Sequence, residues 1–506
     1  MHPRKLVRDT IGFAFTQYLA RAAMMLRGVV AARLLGPAAY GAWNAIQLVC
    51  DYAAFAHLGT QQGLDQAVPA HLVDGDAARL KRLLSAGLFN VIVLTLLFAG
   101  GALLYFSHSS GAIRGSWGLR GIAVAYASAL AVIVANYHLT VLRSYGRFRA
   151  VSLWWMLQAV VATGFGLALI PWYGAWGLLW GWLAANLVAL IYVRWRSPAA
   201  AAVWPAYSHD SLLLIRAGFP MLLYLTSALV MRTVDRIVIL RFAGTQALGY
   251  YSLGVMVLTL LLYLPDSISY VLYPQLLREY RAAGDVPAAI SPRARRAILT
   301  VSAVLPGLCG LAFLGAREAV YLALPKFIQG VPALRVLCFG APGLAIAGMS
   351  SIVLMTLRRQ KQLIPAALFA TLLGASLDRF VLGAGYGIDG VAWATFATYC
   401  IHGAVMLFLA MAALGLGVLD RVREIGRVFG PLAISLALAV LLNRLMPWQD
   451  SAVAALRWTR VGLSELAFAA LYLLMVYPLV RGLGLRVLAE ELLIRRFARR
   501  EPEPAA

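Results

Sequence analysis

An all-α polytopic membrane bundle of about fourteen helices is the fold class this sequence predicts, and three observations carry it. Hydrophobic residues fill 62% of the 506 positions and charged ones only 13%, with a mean hydropathy of +0.78. The apolar residues gather into runs of roughly 20, the length a helix needs to cross a hydrocarbon layer about 30 Å thick. The segments between the runs are short, which leaves almost no chain for a soluble domain.

The runs follow one another with readable punctuation. The first, near 11–35, is preceded by Arg4, Lys5 and Arg8 and stops at Gly36. The second, 42–65, leads to the basic cluster Arg79, Lys81 and Arg82. The third and fourth, 83–106 and 119–142, end on Arg143, Arg147 and Arg149. The fifth and sixth, 150–171 and 174–193, hold Trp154, Trp155, Trp172, Trp176, Trp180 and Trp182, and those near the ends suit an interfacial belt. The seventh, 219–241, turns at Gly244, and the eighth, 247–272, closes at Pro274. The ninth and tenth, 297–316 and 332–357, lead to Arg358, Arg359 and Lys361. The eleventh and twelfth, 363–383 and 387–412, meet at Gly387; the last two, 428–446 and 461–480, precede a basic tail.

The formal charge of +23 is sorted by side. With these spans, 29 of the 44 Lys and Arg fall on the side that holds both termini, and about eight on the other. By the positive-inside rule both termini are cytoplasmic, and Gly36, Ser110 and Gly385 lie outside. The excess charge meets anionic lipid headgroups, and no basic patch on a soluble domain suggests nucleic acid. Cys50, Cys309, Cys338 and Cys400 lie in or beside apolar runs, without metal-ligand spacing, and read as small buried residues. The first run is long and carries Arg21 and Arg27, which makes it a span rather than a cleaved leader.

The chain repeats itself. ARLLGPAAYGAWN at 32–44 aligns with LRFAGTQALGYYS at 240–252, so that Arg33 matches Arg241, Gly36 matches Gly244 and Gly41 matches Gly249. VLRSYGRFR at 141–149 aligns with VLMTLRRQK at 353–361, and GAWGLLWG at 174–181 with GIDGVAWA at 387–394. The expected organisation is a six-helix bundle over 1–196, a second over 211–412, two further spans over 428–480 and a basic cytoplasmic tail over 481–506. Six spans return the chain to one side, so the halves share orientation, and a cleft between them is a natural substrate path.

These residues also carry a family resemblance. Ala32-Arg33-Leu34-Leu35-Gly36-Pro37 with Tyr40-Gly41, then Asp235-Arg236-Ile237 with Ala247-Leu248-Gly249-Tyr250-Tyr251-Ser252, then Gly387-Ile388-Asp389-Gly390-Val391-Ala392, resemble the pattern of polysaccharide-biosynthesis flippases. That family lies in the multidrug/oligosaccharidyl-lipid/polysaccharide exporter superfamily. The resemblance implies a flippase that moves an undecaprenyl-pyrophosphate-linked oligosaccharide, such as an O-antigen, capsule or exopolysaccharide unit, across a bacterial inner membrane. The first span also resembles that of lipid II flippases, through Arg21, Arg27 and Arg33. Those carry a further basic pair in the second span, where this chain has Asp51, Phe55, Ala56 and His57. The departure favours a different lipid-linked glycan.

Ionisable groups inside a membrane are costly and usually face a bundle interior or a wet cavity. Arg21 lies 14 residues before Leu35, about 21 Å along a helix, and its planar fork suits a pyrophosphate; a structural ion pair or snorkelling toward water is the plainer use. Arg27 is the second candidate substrate contact. Its repeat equivalent is Asp235, which could latch to it across the cleft or pair locally with Arg232, three residues away on one helix. Asp51, His57 and Asp378 are candidates for coupling to a proton or sodium ion, or else satisfied structural groups. No catalytic, metal or cofactor motif is present. A cation-coupled drug exporter and a membrane glycan polymerase or ligase are the alternatives; the first predicts an acidic cavity and the second a large outer loop.

Overall fold

The computed structural model describes residues 3–74, 76–109, 111–197, 203–445 and 454–480. Ser110 and the basic tail at 481–506 lie outside them. Among the described residues the chain is helical throughout, with no strand. The helices are α1 Pro3–Ala53, α2 Thr60–Asp74, α3 Ala77–His108, α4 Ala112–Ser144, α5 Phe148–Tyr173, α6 Ala175–Arg196, α7 His209–Met231 and α8 Val234–Phe242. They continue with α9 Gly244–Ala282, α10 Pro287–Ala323, α11 Val331–Leu337, α12 Gly340–Thr356, α13 Leu363–Gly383, α14 Gly387–Ala413, α15 Val418–Leu445 and α16 Ala454–Val480. Short 3-10 turns at Pro325–Gly330 and Gln360–Gln362 join α10 to α11 and α12 to α13.

Twelve of these helices are long and apolar enough to cross a membrane, and the pair Pro325–Leu337 with Gly340–Thr356, bent by 44°, adds a thirteenth. Thr16–Ala53 counts once although its 38 residues extend about 57 Å, nearly two hydrocarbon thicknesses. Gly36 breaks it, at φ 72 and ψ 175, a conformation closed to residues with a Cβ. Pro37 then starts the next helix at the one position where its missing N–H is harmless. Divided there, the helix supplies the first two of the fourteen expected runs.

Three runs depart from continuous helices. The second is interrupted at 54–59, where Leu58 and Gly59 take positive φ. The seventh is interrupted at Arg232 and Thr233, where the Thr233 hydroxyl donates back to the Leu229 carbonyl at 2.8 Å, a bond that competes with the helix ladder. The tenth is interrupted before Gly340, since Pro342 cannot donate a helical hydrogen bond and tolerates only a first turn.

The repeat reappears in the backbone. Gly36 and Gly244 both have positive φ, as do Gly146 and Arg358, and Gly174 and Gly387. Each pair is matched by one of the three sequence alignments.

Two compact units are formed. The first holds Met1–Met256, Val320–Gly330 and Gly374–Val391. Within it α5 and α6 form a tight hairpin, in which Gly181 meets the backbone of Gly166 so closely that a Cβ would lie 2.6 Å from the Gly166 nitrogen. Gln158 Nε2 donates to Asn186 Oδ1 at 2.7 Å and Asn186 Nδ2 to Ser128 Oγ at 3.2 Å, which ties α4, α5 and α6 through buried amides. Gly181→Leu forces the hairpin apart at a cost of roughly 1–3 kcal/mol. A lower unfolding midpoint in detergent is the expected result, and an unchanged one would refute this packing.

The second unit holds Val257–Ala319, Val331–Leu373 and Ala392–Ala506. Its last two spans dock on α10: the Ser435 hydroxyl donates to the Pro306 carbonyl at 2.6 Å and the Tyr472 hydroxyl to the Ala303 carbonyl at 2.7 Å. Arg295 forms an ion pair with Glu424.

Candidate functional site

Three features of the first unit bear on transport. The first is a contact between the two repeat-related turns. A Cβ on Gly41 would overlap the Thr245 carbonyl oxygen and stand 2.8 Å from the Gly249 nitrogen; a Cβ on Gly249 would overlap the Pro37 carbonyl oxygen. Pro37 and Gly41 are the equivalents of Thr245 and Gly249 at the repeat offset of 208. Each turn therefore grips the other with the same positions, the signature of a two-fold contact. Tyr40 and Tyr250 close over the join, each meeting the Phe327 ring edge-on, at 6.0 and 6.2 Å between centroids.

The second feature is a buried polar cluster beneath that clasp. The Tyr251 hydroxyl donates to Asp235 Oδ2 and the Arg236 backbone N–H to Asp235 Oδ1, both at 2.7 Å. Tyr52 and Thr233 share a hydrogen bond of 2.5 Å, and Gln47 donates to Asp51 at 3.0 Å. Arg236 interacts electrostatically with both Asp51 and Asp235. Asp378, only 1% exposed, faces the charge of Asp235 with neither of its own carboxylate oxygens hydrogen-bonded. One guanidinium thus serves two carboxylates, Asp51 and Asp235, while the third, Asp378, faces Asp235 from a separate helix. Such an excess of acid in a water-poor place favours a bound cation or proton.

The third feature is the surroundings of the first-span arginines. Arg27 is 5% exposed. Its guanidinium lies between the rings of Trp43 and Trp182, 5.0 and 5.7 Å from their centroids, and reaches the Leu178 carbonyl at 3.4 Å, while Nε has no partner. Arg21 is half-buried on the same helix, 15 residues before the break at Gly36.

The fold brings the candidate residues together selectively. Asp51 and Asp235 share Arg236, and Asp378 faces Asp235; Arg27 is caged elsewhere, and in this conformation Asp235 bonds Tyr251 rather than Arg27. The expected pairing of Arg232 with Asp235 along one helix is not formed. Arg232 caps α7 and is exposed, on the far side of the break from Asp235, and its carbonyl accepts from Arg236 at 3.2 Å. His57 lies in the turn at 54–59, where its Nδ1 accepts from the Gly59 N–H at 3.2 Å. Sequence pattern does not reveal Tyr52, Thr233 and Tyr251 as a group, because Tyr52 and Thr233 are 181 residues apart and Tyr251 is 16 from Asp235. A groove of about 530 Å³ along Leu97–Phe106 and Tyr126 is apolar and carries none of this chemistry.

Comparison with known proteins agrees with this architecture. The model of a family described as polysaccharide biosynthesis protein matches residues 6–278, more than half of the chain. No curated protein sequence matches. Among solved structures, the lipid II flippase MurJ in an inward closed conformation is similar at a TM-score of 0.71 and 14% identity, over 92% of this chain and 99% of that one. An inward-facing multidrug resistance MATE family transporter of the MOP superfamily is similar at 0.63 and 15% identity, over 80% and 98%. A MOP superfamily transporter from Pyrococcus furiosus, described by a binding pocket of reversed polarity, is similar at 0.56 and 15% identity, over 80% and 95%. At such identities the likeness is one of fold.

Proposed function

Because the chain belongs to the polysaccharide biosynthesis protein family and has the fold of membrane flippases and transporters, we propose that it flips an undecaprenyl-pyrophosphate-linked oligosaccharide across a bacterial inner membrane by alternating access. Both termini are cytoplasmic in this reading, so the Gly41–Gly249 clasp is the outer gate. The two six-helix repeats rock against each other around the path between them. The prenyl tail stays in lipid while the pyrophosphate and sugars cross.

The observation that carries this reading is Arg21, a half-buried guanidinium 15 residues before the Gly36 break on the first span, a position that the expected span boundaries put near mid-membrane, on the cytoplasmic side of centre. A fixed positive charge there suits an anionic headgroup, and its fork binds two phosphate oxygens at once. Arg27 joins the substrate only if the Trp43 and Trp182 rings part. The acidic cluster around Asp235 and Asp378 supports coupling to a proton or sodium ion. It equally suits the second reading, a cation-coupled drug exporter, and the two differ in what Arg21 does.

Arg21→Ala removes a charge-assisted contact of about 1.5–3 kcal/mol. In liposomes holding a fluorescent lipid-linked oligosaccharide, flipping is expected to fall roughly 10- to 150-fold, with Arg21→Lys in between. A well-folded Arg21→Ala protein that flips the lipid at the parental rate would overturn the flippase reading. Export of a cationic dye by that same variant would support the drug exporter.

A further inference from the structure

Two arginines of the second unit take no part in that mechanism. Phe313 and Arg317 are four residues apart on α10 and share one face of the helix. Arg335, on α11, lays its guanidinium over the Phe313 ring at 5.0 Å and donates Nε to the Phe313 carbonyl at 3.0 Å. Arg317 therefore stands one turn beyond this contact, and the two charges interact. Arg335 Nη2 is buried without an acceptor, whereas Arg317 is exposed. Neither arginine forms an ion pair with a carboxylate among the described residues. Glu318, the neighbour of Arg317, is buried and turned about 100° away around the helix.

Two like charges held together, one with an unsatisfied buried donor, are unfavourable by themselves. A single anion relieves both. The depth narrows its kind. Arg317 lies six residues before the end of α10 at Ala323, about 9 Å, and Arg335 five residues after Gly330, about 7.5 Å. With both termini cytoplasmic, an assignment that rests on the function proposed above, this is the boundary between headgroups and acyl chains in the outer leaflet. Guanidinium pairs recognise phosphate through paired N–H donors, and basic pockets between transmembrane helices hold lipid headgroups.

We infer that Arg317 and Arg335, backed by Phe313, form a phosphate-binding site for a lipid headgroup in the outer leaflet. The phosphate could belong to the prenyl pyrophosphate on arrival or to a resident anionic phospholipid.

Native mass spectrometry of the purified full-length protein tests this with two probes, undecaprenyl pyrophosphate and phosphatidylglycerol. Affinity for at least one is expected to fall tenfold or more in R317Q/R335Q and less in R335K, which keeps the charge and loses the fork. The exposed Arg317 makes R317Q a variant that folds regardless of the Arg335 contacts, and a loss of threefold or more is expected from it alone. A loss confined to the pyrophosphate assigns the site to the substrate; a loss of phosphatidylglycerol assigns it to a resident lipid; both support a phosphate site. Parental affinity for both probes in R317Q, or in a folded R317Q/R335Q, would overturn it. Normal flipping by Arg21→Ala together with lost lipid binding here would sink the proposed function and leave this site standing.

Discussion

Gly249→Ala is expected to stop transport while leaving the protein folded in the membrane. The new methyl would overlap the Pro37 carbonyl oxygen, and both partners are backbone, which cannot swing aside as a side chain can. The clasp then fails to close. Overpacking of this kind costs about 1–3 kcal/mol, enough to shift an equilibrium between open and closed states by roughly 5- to 150-fold. Two measurements follow from one variant. Flipping in liposomes falls, and a cysteine at Tyr250 reacts faster with a membrane-impermeant maleimide added outside. The native cysteines add little background, since three of the four are buried. Gly41→Ala on the symmetric side has the same effect by the same overlap, with Thr245 in place of Pro37. Parental transport by either variant would show that these turns need not touch during the cycle.

Asp378→Asn is expected to uncouple the protein. Its two carboxylate oxygens lack hydrogen-bond partners and it lies against the charge of Asp235, so the amide retains the shape and removes one of the two facing acids. A cation or proton held between them loses a charged contact of about 1.5–3 kcal/mol, a roughly 10- to 150-fold weakening. The stimulation of transport by an imposed sodium or proton gradient should disappear, whichever of the two ions drives the parent. Asp378→Glu should keep part of it. If the variant responds to both gradients as the parent does, Asp378 is a structural group only.

The helical class and most of the candidate spans could be read from hydropathy because each span must bury its own backbone bonds in lipid. The turns at Gly36, Gly146, Gly174, Gly244 and Gly387 were equally accessible, since glycine marks them in the chain. Breaks inside spans were harder. Nothing in the apolar run at 219–241 shows that the helix will break at Arg232 and Thr233, where the Thr233 hydroxyl turns back on Leu229. The acids Asp51, Asp235 and Asp378 stood out because charge is rare in such runs, but what each of them meets depends on packing between spans. Tyr251 bonds Asp235 across a turn and the start of another helix, and the Trp43 and Trp182 cage of Arg27 joins residues 139 positions apart, 182 less 43.

Arg358 occupies the turn that matches Gly146, and holds φ at 57 where its counterpart has 69. A side chain in the left-handed region costs roughly 1–2 kcal/mol, and glycine avoids this. The two halves thus agree in the handedness of a turn where they differ in the residue that makes it. Internal symmetry in such a chain is better sought in matched backbone turns than in matching letters.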